Sequence, residues 1–223
     1  SSVAIYGFAP AGTDENGESN YFNDYGRTKY LAEQFYKAWQ AEDPGNRTLV
    51  IVRPTVIFGE GNRGNVYNLL KQIASGRFLM FGDGTNIKSM AYVENVVAFI
   101  EYSLSFTPGL HIYNYIDKPD FDMNTLISSA RKTLFGTTNA VLRLPGFIGI
   151  ALGYFADLFS IIIRKPLPIS SIRVKKFMAT TQFKSSVSDT GFISPITLEE
   201  GLTRTLYYEF MEDNSDKRTF ETE

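Results

Sequence analysis

The stretch from Asp24 to Glu33 constrains the fold most, because it predicts the first turns of a helix. It contains no proline, and good helix formers begin at Lys29. Apolar side chains recur near helical spacing at Leu31, Phe35 and Ala38. On such a helix Tyr25 and Lys29 share one face, about 6 Å apart along the axis. An ammonium beside a phenol favours the phenolate, which is a competent general base. A Y-x-x-x-K pair alone is more often an ordinary surface pair, so the flanking segments decide between the two interpretations.

The segments on either side of this helix favour a functional pair. Upstream, Ser1 to Gly7 predicts a short apolar strand that enters a glycine turn. Downstream, Leu49 to Arg53 predicts a second strand, followed by Pro54 and the apolar run Thr55 to Gly59. The chain thus contains, in this order, a serine at a strand end, a Tyr and a Lys on the next helix, and a strand that ends in Arg-Pro. In this set the chain resembles the extended short-chain dehydrogenase/reductase family of nucleotide-sugar epimerases, from Ser1 to about Phe210.

The resemblance implies a catalytic trio and a cofactor. Ser2, Tyr25 and Lys29 would be the catalytic residues, with Tyr25 as the base for a sugar 4-hydroxyl and Ser2 hydrogen-bonded to the same oxygen. NAD would be the cofactor, held by Tyr25, Lys29, Pro54 and Thr55. The related 4,6-dehydratases need an additional acid and base after the serine. Val3 and Ala4 supply neither, so dehydration is disfavoured.

The implied fold class is α/β: the C-terminal part of an extended short-chain dehydrogenase Rossmann fold plus a smaller, mostly helical substrate lobe. Residues 1–58 and 88–118 would belong to the NAD-binding domain, residues 59–87 and 119–210 to the lobe, and 211–223 to a disordered tail. The family's N-terminal βαβ half, which binds the dinucleotide pyrophosphate, is not recognised in the sequence, and we expect it to be missing. A non-catalytic binding fragment therefore stays open as a third interpretation.

Gly59 to Gly64 spells G-x-G-x-x-G, but it does not predict the dinucleotide fingerprint. The preceding strand has a proline near its end, and no following strand ends in an acidic residue suited to a ribose. Backbone N–H groups at the start of the next helix, with Arg63 beside them, suit a diphosphate instead. In the resembled family this region belongs to the substrate lobe, so the resemblance implies Arg63, Gly64, Asn65 and Lys88 as substrate-binding residues. Lys88-Ser89 stands where many relatives carry Arg-Asp. No metal site is predicted.

Three runs sharpen the implied substrate: residues 53–59, residues 62–72 and residues 170–177. They resemble the branch of the family that converts GlcNAc to GalNAc on a polyprenyl diphosphate in O-antigen synthesis. Val56 stands where many soluble epimerases place an asparagine that contacts the sugar nucleotide, which weakens the case for a UDP-sugar. A soluble UDP-GlcNAc 4-epimerase is the alternative, because its catalytic trio is the same.

Residues 144–163 are the most apolar stretch, with one charged residue, Asp157. On a helical wheel, large apolar residues share one face, and Gly149, Gly153, Asp157 and Ser160 lie opposite. The pattern favours an in-plane amphipathic helix over a membrane span, with cations at Arg143 and at residues 164–165. A lid helix packed on the substrate lobe fits as well.

Composition excludes several other classes of function. A net charge of -2 gives no electrostatic footprint for nucleic acid. The absence of cysteine excludes disulfides and thiol catalysis, and the single histidine, His111, lies in a strand-like run and is interpreted as structural. The resemblance implies a cytoplasmic enzyme and a homodimer, with peripheral contact on the inner membrane through residues 144–163 as an added hypothesis.

Overall fold

The computed structural model describes residues 1–138, 141–163, 170–214 and 216–220. The helices are α1 (Asp24–Ala41), α2 (Asn65–Ala74), α3 (Val93–Ser103), α4 (Met123–Phe135), α5 (Gly146–Ile163), α6 (Ser171–Met178) and α7 (Leu198–Phe210). The strands are β1 (Thr48–Pro54), β2 (Val56–Phe58), β3 (Leu79–Phe81), β4 (Ile87–Tyr92), β5 (Gly109–Tyr115), β6 (Asp117–Asp122) and β7 (Leu142–Leu144). Short 3₁₀-helices cover Val3–Tyr6 and Val187–Thr190.

The strands form three small sheets. β1 and β5 pair in parallel, from Thr48 opposite Gly109 to Pro54 opposite Tyr115. β4 is the centre of a second sheet, parallel to β2 and antiparallel to β6. β3 and β7 form a third, parallel pair. Parallel pairing joined by helices makes this an α/β fold.

Helices cover both faces of the β1–β5 pair. Val52 packs into an aromatic cluster around Phe99 of α3, whereas the next residue, Arg53, bonds to Glu33 of α1. Since consecutive side chains of a strand point to opposite faces, α1 and α3 lie on opposite faces of β1. The larger core lies elsewhere, between α2, α4, α7 and the strands β3 and β4, and contains Leu70, Met80, Leu126 and Leu206 among others.

Most predicted elements are present. Helix α1 begins at Asp24, where the Asn23 side chain caps it by accepting a hydrogen bond from the Gly26 N–H. The predicted strand from Leu49 is β1. The sequence pattern also predicts helices over residues 65–74, 93–103, 124–134 and 197–209. Helices α2 and α3 have the first two of these bounds, and each end of α4 and α7 differs from the other two by one residue.

One segment differs from expectation. Residues 3–6 form a 3₁₀-helix, not a strand, because the Ser2 side chain accepts from the Ala4 N–H and turns the chain. Near the C-terminus, the Phe220 N–H donates to the Gly61 carbonyl, and the Arg63 N–H donates to the Phe220 carbonyl, both at 2.7 Å. The disorder of residues 211–223 as a whole stays a prediction.

The chain passes from one sheet to another between β1 and β2. Both β2 and β4 pair within the three-stranded sheet and not with β1. Thr55 alone separates β1 from β2, so the chain passes between the sheets at that residue. The division into an NAD-binding domain and a substrate lobe stays a prediction.

Candidate active site

Tyr25 and Lys29 lie together on the exposed side of the first turns of α1, as their spacing predicts. The Lys29 ammonium lies 5.5 Å from the centre of the Tyr25 ring, and Tyr25 is 55% exposed. A solvent-accessible phenol beside a cation can bond to a hydroxyl of a bound molecule. The geometry therefore meets the first requirement of a general base.

Gly26 lets α1 approach the segment that carries Ser2. A Cβ atom at Gly26 would lie 2.6 Å from the Ala4 carbonyl oxygen, so α1 and the 3₁₀-helix touch backbone to backbone. Ser2 caps that 3₁₀-helix, and its Oγ accepts from the Ala4 N–H at 3.2 Å. This bond uses one lone pair and leaves the Ser2 O–H able to donate. The close approach brings Ser2 and Tyr25 to the same end of the fold.

That end is the carboxyl end of the β1–β5 pair. Only residues 42–47 join α1 to β1, so the helix runs back against the strand and its first turn lies near the end of β1. Pro54 and Thr55 are at this end, and both the N–H and the hydroxyl of Thr55 donate to the Tyr115 carbonyl. In open α/β sheets, ligands bind outside the carboxyl ends of the strands.

A buried ion pair fixes α1 on β1, and the sequence analysis missed it. Arg53 donates to both carboxylate oxygens of Glu33, at 2.8 and 2.7 Å. Ser1 donates to the same carboxylate at 2.6 Å. Burial by itself would raise the pKa of Glu33, but the hydrogen bonds from Arg53 and Ser1 and the guanidinium charge outweigh it and hold that pKa below its usual value. The spacing of Lys29 and Glu33 places both on one side of α1, but nothing in the sequence pairs Glu33 with Arg53.

The same arginine extends the network towards the loop before α1. Arg53 donates to the Tyr6 hydroxyl at 2.6 Å, which in turn donates to Asn114 of β5 at 2.8 Å. It also donates to the Glu15 carbonyl, while one Glu15 carboxylate oxygen accepts from the Asn114 and Ser186 N–H groups. The family resemblance implies that the polar loop over residues 8–23 lies at the mouth of the active site, and these bonds hold that loop against the core.

The residues at this end fit part of a nicotinamide cofactor. Tyr25 offers a hydroxyl and Lys29 three N–H donors, which suit the two hydroxyls of a ribose. A groove of about 370 Å³ starts at Lys29 and runs along Leu49 to Val52. Because four consecutive strand residues line it, the groove follows an edge of β1, and the other edge pairs with β5.

Comparison with known proteins decides the family. The family model described as "NAD dependent epimerase/dehydratase family" matches residues 1–114, which include Ser2, Tyr25, Lys29 and Thr55. The chain belongs to this family. It is 50% identical over its whole length to N-acetyl-alpha-D-glucosaminyl-diphospho-ditrans,octacis-undecaprenol 4-epimerase of Escherichia coli O157:H7, and it covers 68% of that protein.

Solved structures agree on the fold of an NAD-dependent epimerase/dehydratase. The UDP-glucuronic acid 4-epimerase of Bacillus cereus in complex with NAD matches with a TM-score of 0.65 at 18% identity, over 93% of this chain and 59% of that one. The UDP-glucose 4-epimerase of Thermotoga maritima with UDP-glucose matches with a TM-score of 0.63 at 19% identity, over 92% of this chain and 60% of that one. The chain thus spans about 60% of the length of these structures.

The predicted diphosphate-binding residues of this family member lie at the start of α2, and a carboxylate already contacts them. Gly64 caps α2 and Asn65 is its first residue. The buried Glu209 accepts from the Gly61 N–H at 2.8 Å and lies 3.5 Å from the Arg63 Nε. A diphosphate at this loop would therefore meet Glu209 as well as Arg63.

The side chain of Lys88 contacts the end of α6. Its ammonium donates to the carbonyls of Lys176 and Ala179 at the end of α6, and burial lowers its pKa to about 8. These bonds hold α6 on β4. His111 bonds through a ring nitrogen to the Thr107 carbonyl at 3.0 Å and packs on Phe106.

Proposed function

We propose that the protein is an NAD-dependent sugar 4-epimerase that converts GlcNAc to GalNAc on undecaprenyl diphosphate. The observation that carries this proposal is the exposed Tyr25–Lys29 pair, packed through Gly26 against the segment of Ser2. It occurs in a chain that is 50% identical along its whole length to a relative named for this reaction.

The residues divide the chemistry as follows. Tyr25 takes the proton from the sugar 4-hydroxyl, and Ser2 donates a hydrogen bond to the same oxygen as negative charge develops on it. Lys29, which lies beside the Tyr25 ring, would hold the nicotinamide ribose together with Pro54 and Thr55. NAD, when bound, would supply a hydride acceptor that is regenerated within each turnover, so no net oxidation would occur. After the sugar turns over, Tyr25 returns its proton to the inverted hydroxyl.

The substrate diphosphate is assigned to the start of α2, with Arg63, Gly64 and Asn65 as its ligands. Arg63 supplies a guanidinium that matches phosphate oxygens, and the helix N-terminus adds backbone donors. Lys88 acts on this site indirectly, by holding α6. The soluble alternative, a UDP-GlcNAc 4-epimerase, uses the same catalytic residues and differs at these positions.

The test compares two substrates with the complete protein. GlcNAc-diphospho-undecaprenol and UDP-GlcNAc are supplied side by side with catalytic amounts of NAD, and the sugars released by mild acid are separated. We expect GalNAc from the lipid-linked substrate without any added reductant. Product from UDP-GlcNAc alone would establish the soluble alternative, and stoichiometric NADH consumption would indicate a reductase instead.

Two finer features belong to this proposal. A homodimer is supported by Leu31, Phe35 and Trp39, which share an exposed stripe of α1; light scattering tests it. We also place the enzyme in the cytoplasm, in peripheral contact with the inner membrane through residues 144–163. Fractionation of cells that express the tagged protein tests that location.

A further inference from the structure

Helices α5 and α6 form a pair whose contact face is made of small and polar residues. A Cβ atom at Gly153 would lie 2.6 Å from the Ser171 Cα, and one at Gly149 would lie 2.6 Å from the Phe81 ring. The Asp157 carboxylate accepts from both the N–H and the hydroxyl of Ser171. The single acidic residue of α5 is therefore engaged between the helices.

The opposite side of α5 exposes large apolar side chains. Six of them are between 54% and 72% exposed: Phe147, Tyr154, Phe155, Leu158, Phe159 and Ile162. Ile172 of α6 adds a seventh at 58%. Contiguous apolar surface of this kind marks an interaction site in a soluble protein. In the described part of the chain, no helix has both the length and the apolar character needed to cross a bilayer.

Cations border this apolar surface. Arg173, Lys175 and Lys176 are exposed on α6, which has no acidic residue. Arg143, just before α5, is exposed as well, but its guanidinium bonds to the Asp83 carbonyl and to the Asn124 side chain and is not counted among these cations. The Lys175 ammonium bonds to the Tyr154 hydroxyl at 2.8 Å, which places a phenol and an ammonium at the border of the apolar face. Residues 164–165, the other predicted cations, lie outside the described residues.

The same helix pair contacts the segment next to the catalytic tyrosine. The Lys176 ammonium lies 5.0 Å from the centre of the Phe22 ring, and Phe22 stacks on Phe8 at 4.7 Å. Both rings are exposed, and Phe22 comes three residues before Tyr25 in the chain. Exposed apolar side chains thus occur on α5, on α6 and on the loop that leads to the active site.

We propose that α5 and α6 dock in the interface of an anionic phospholipid bilayer, with α5 in the membrane plane and Phe22 facing the lipid. The apolar face would enter the acyl boundary, and the cations of α6 would bind the headgroups. Charge favours a bilayer over a second copy of the chain, because a twofold contact would bring the cations of both copies together. Delivery of a lipid-linked sugar to Tyr25 by this route rests on the proposed function; the docking does not.

Flotation with vesicles tests the docking. The complete protein is mixed with phosphatidylcholine vesicles, with or without phosphatidylglycerol, and the floating fraction is measured. We expect flotation with the anionic vesicles and a loss of at least about tenfold in affinity for each of F147S, F155S and L158S. Lys175→Gln and Lys176→Gln should each lower the affinity for anionic vesicles about fivefold at low salt.

The matched control changes three exposed apolar side chains that lie outside α5 and α6. The triple variant L104S/I193S/M211S changes exposed side chains outside α5 and α6, and it should float like the wild type. Equal losses in this control and in the triple α5 variant F147S/F155S/L158S, or a wild type that stays at the bottom of the gradient, would overturn the proposal. A triple α5 variant that loses self-association but keeps flotation would make this face a contact between copies.

A second measurement covers the case in which the α5 variant fails to fold. This chain has no cysteine, so F155C offers a site for an environment-sensitive fluorophore. Anionic vesicles should shift its emission to the blue, and an unchanged emission would refute the docking. Because neither readout uses activity, vesicle binding by a protein that epimerises neither substrate would leave the docking standing and reject the proposed function.

Discussion

At the residue scale, the site depends on one phenol and on the buried ion pair that positions its helix. The Tyr25 hydroxyl does the proposed proton transfer. Replacing Tyr25 with Phe in the complete enzyme should therefore lower turnover by roughly 10²–10⁴-fold, with little effect on stability because the ring is exposed. Tyr207→Phe, which changes an exposed tyrosine of α7, is the matched control. Turnover close to wild type in Y25F would remove Tyr25 from the mechanism.

Glu33→Gln tests the ion pair. At pH 7 it leaves Arg53 buried without its carboxylate, which should cost about 3–5 kcal/mol of unfolding free energy. The pKa of Glu33 is lower in the folded protein than in the unfolded chain. The carboxylate therefore contributes its full share of the unfolding free energy above the unfolded-state pKa, and this share is lost as pH falls through the folded-state pKa. The difference in unfolding free energy between wild type and E33Q should therefore shrink below pH 4. Urea unfolding at a series of pH values measures this difference. Glu42→Gln, from an exposed pair with Arg47, should cost under about 1 kcal/mol.

At the element scale, the contact between α1 and the 3₁₀-helix sets the distance between Ser2 and Tyr25. Gly26→Ala should push the two apart, since the new Cβ would lie 2.6 Å from the Ala4 carbonyl oxygen. We expect a loss of about 1–3 kcal/mol in stability and a fall in kcat larger than any rise in KM. Gly45→Ala, with no atom within 4 Å of its Cβ, is the control. Equal kcat values in both variants would show that this contact does not position the base.

The elements also show how far the sequence alone could go. Helical periodicity fixes the spacing of Tyr25 and Lys29, and the pattern of α5 separates its glycine face from its aromatic face, as the structure confirms. The pairing of Glu33 with Arg53 was not predictable, because it depends on where α1 lies across β1. The Val-Ala-Ile-Tyr run favours a strand by composition, yet the Ser2 cap decides for a 3₁₀-helix.

At the scale of the whole molecule, the C-terminal tail is joined to the predicted diphosphate loop. Truncation after Asp213 removes the acceptor of the Arg63 N–H, so amide exchange at Arg63 should accelerate while exchange in α2 stays unchanged. Phe220→Ala keeps the backbone bonds and should exchange like the wild type, since the ring is 67% exposed. Identical Arg63 exchange in the truncated and complete proteins would show that the tail does not hold this loop in solution.

Glu15 has a further consequence, for the order in which the molecule assembles. Its carboxylate joins backbone groups that are 99 and 171 residues away in sequence, one on β5 and one at Ser186. Contacts of such long range close large loops and carry a high entropic cost before they return any stabilisation. The helices of this chain rest on local contacts and can form early, whereas the loop at the mouth of the site must wait for β5 and residue 186. During refolding, catalytic competence should therefore return after the helical structure has formed.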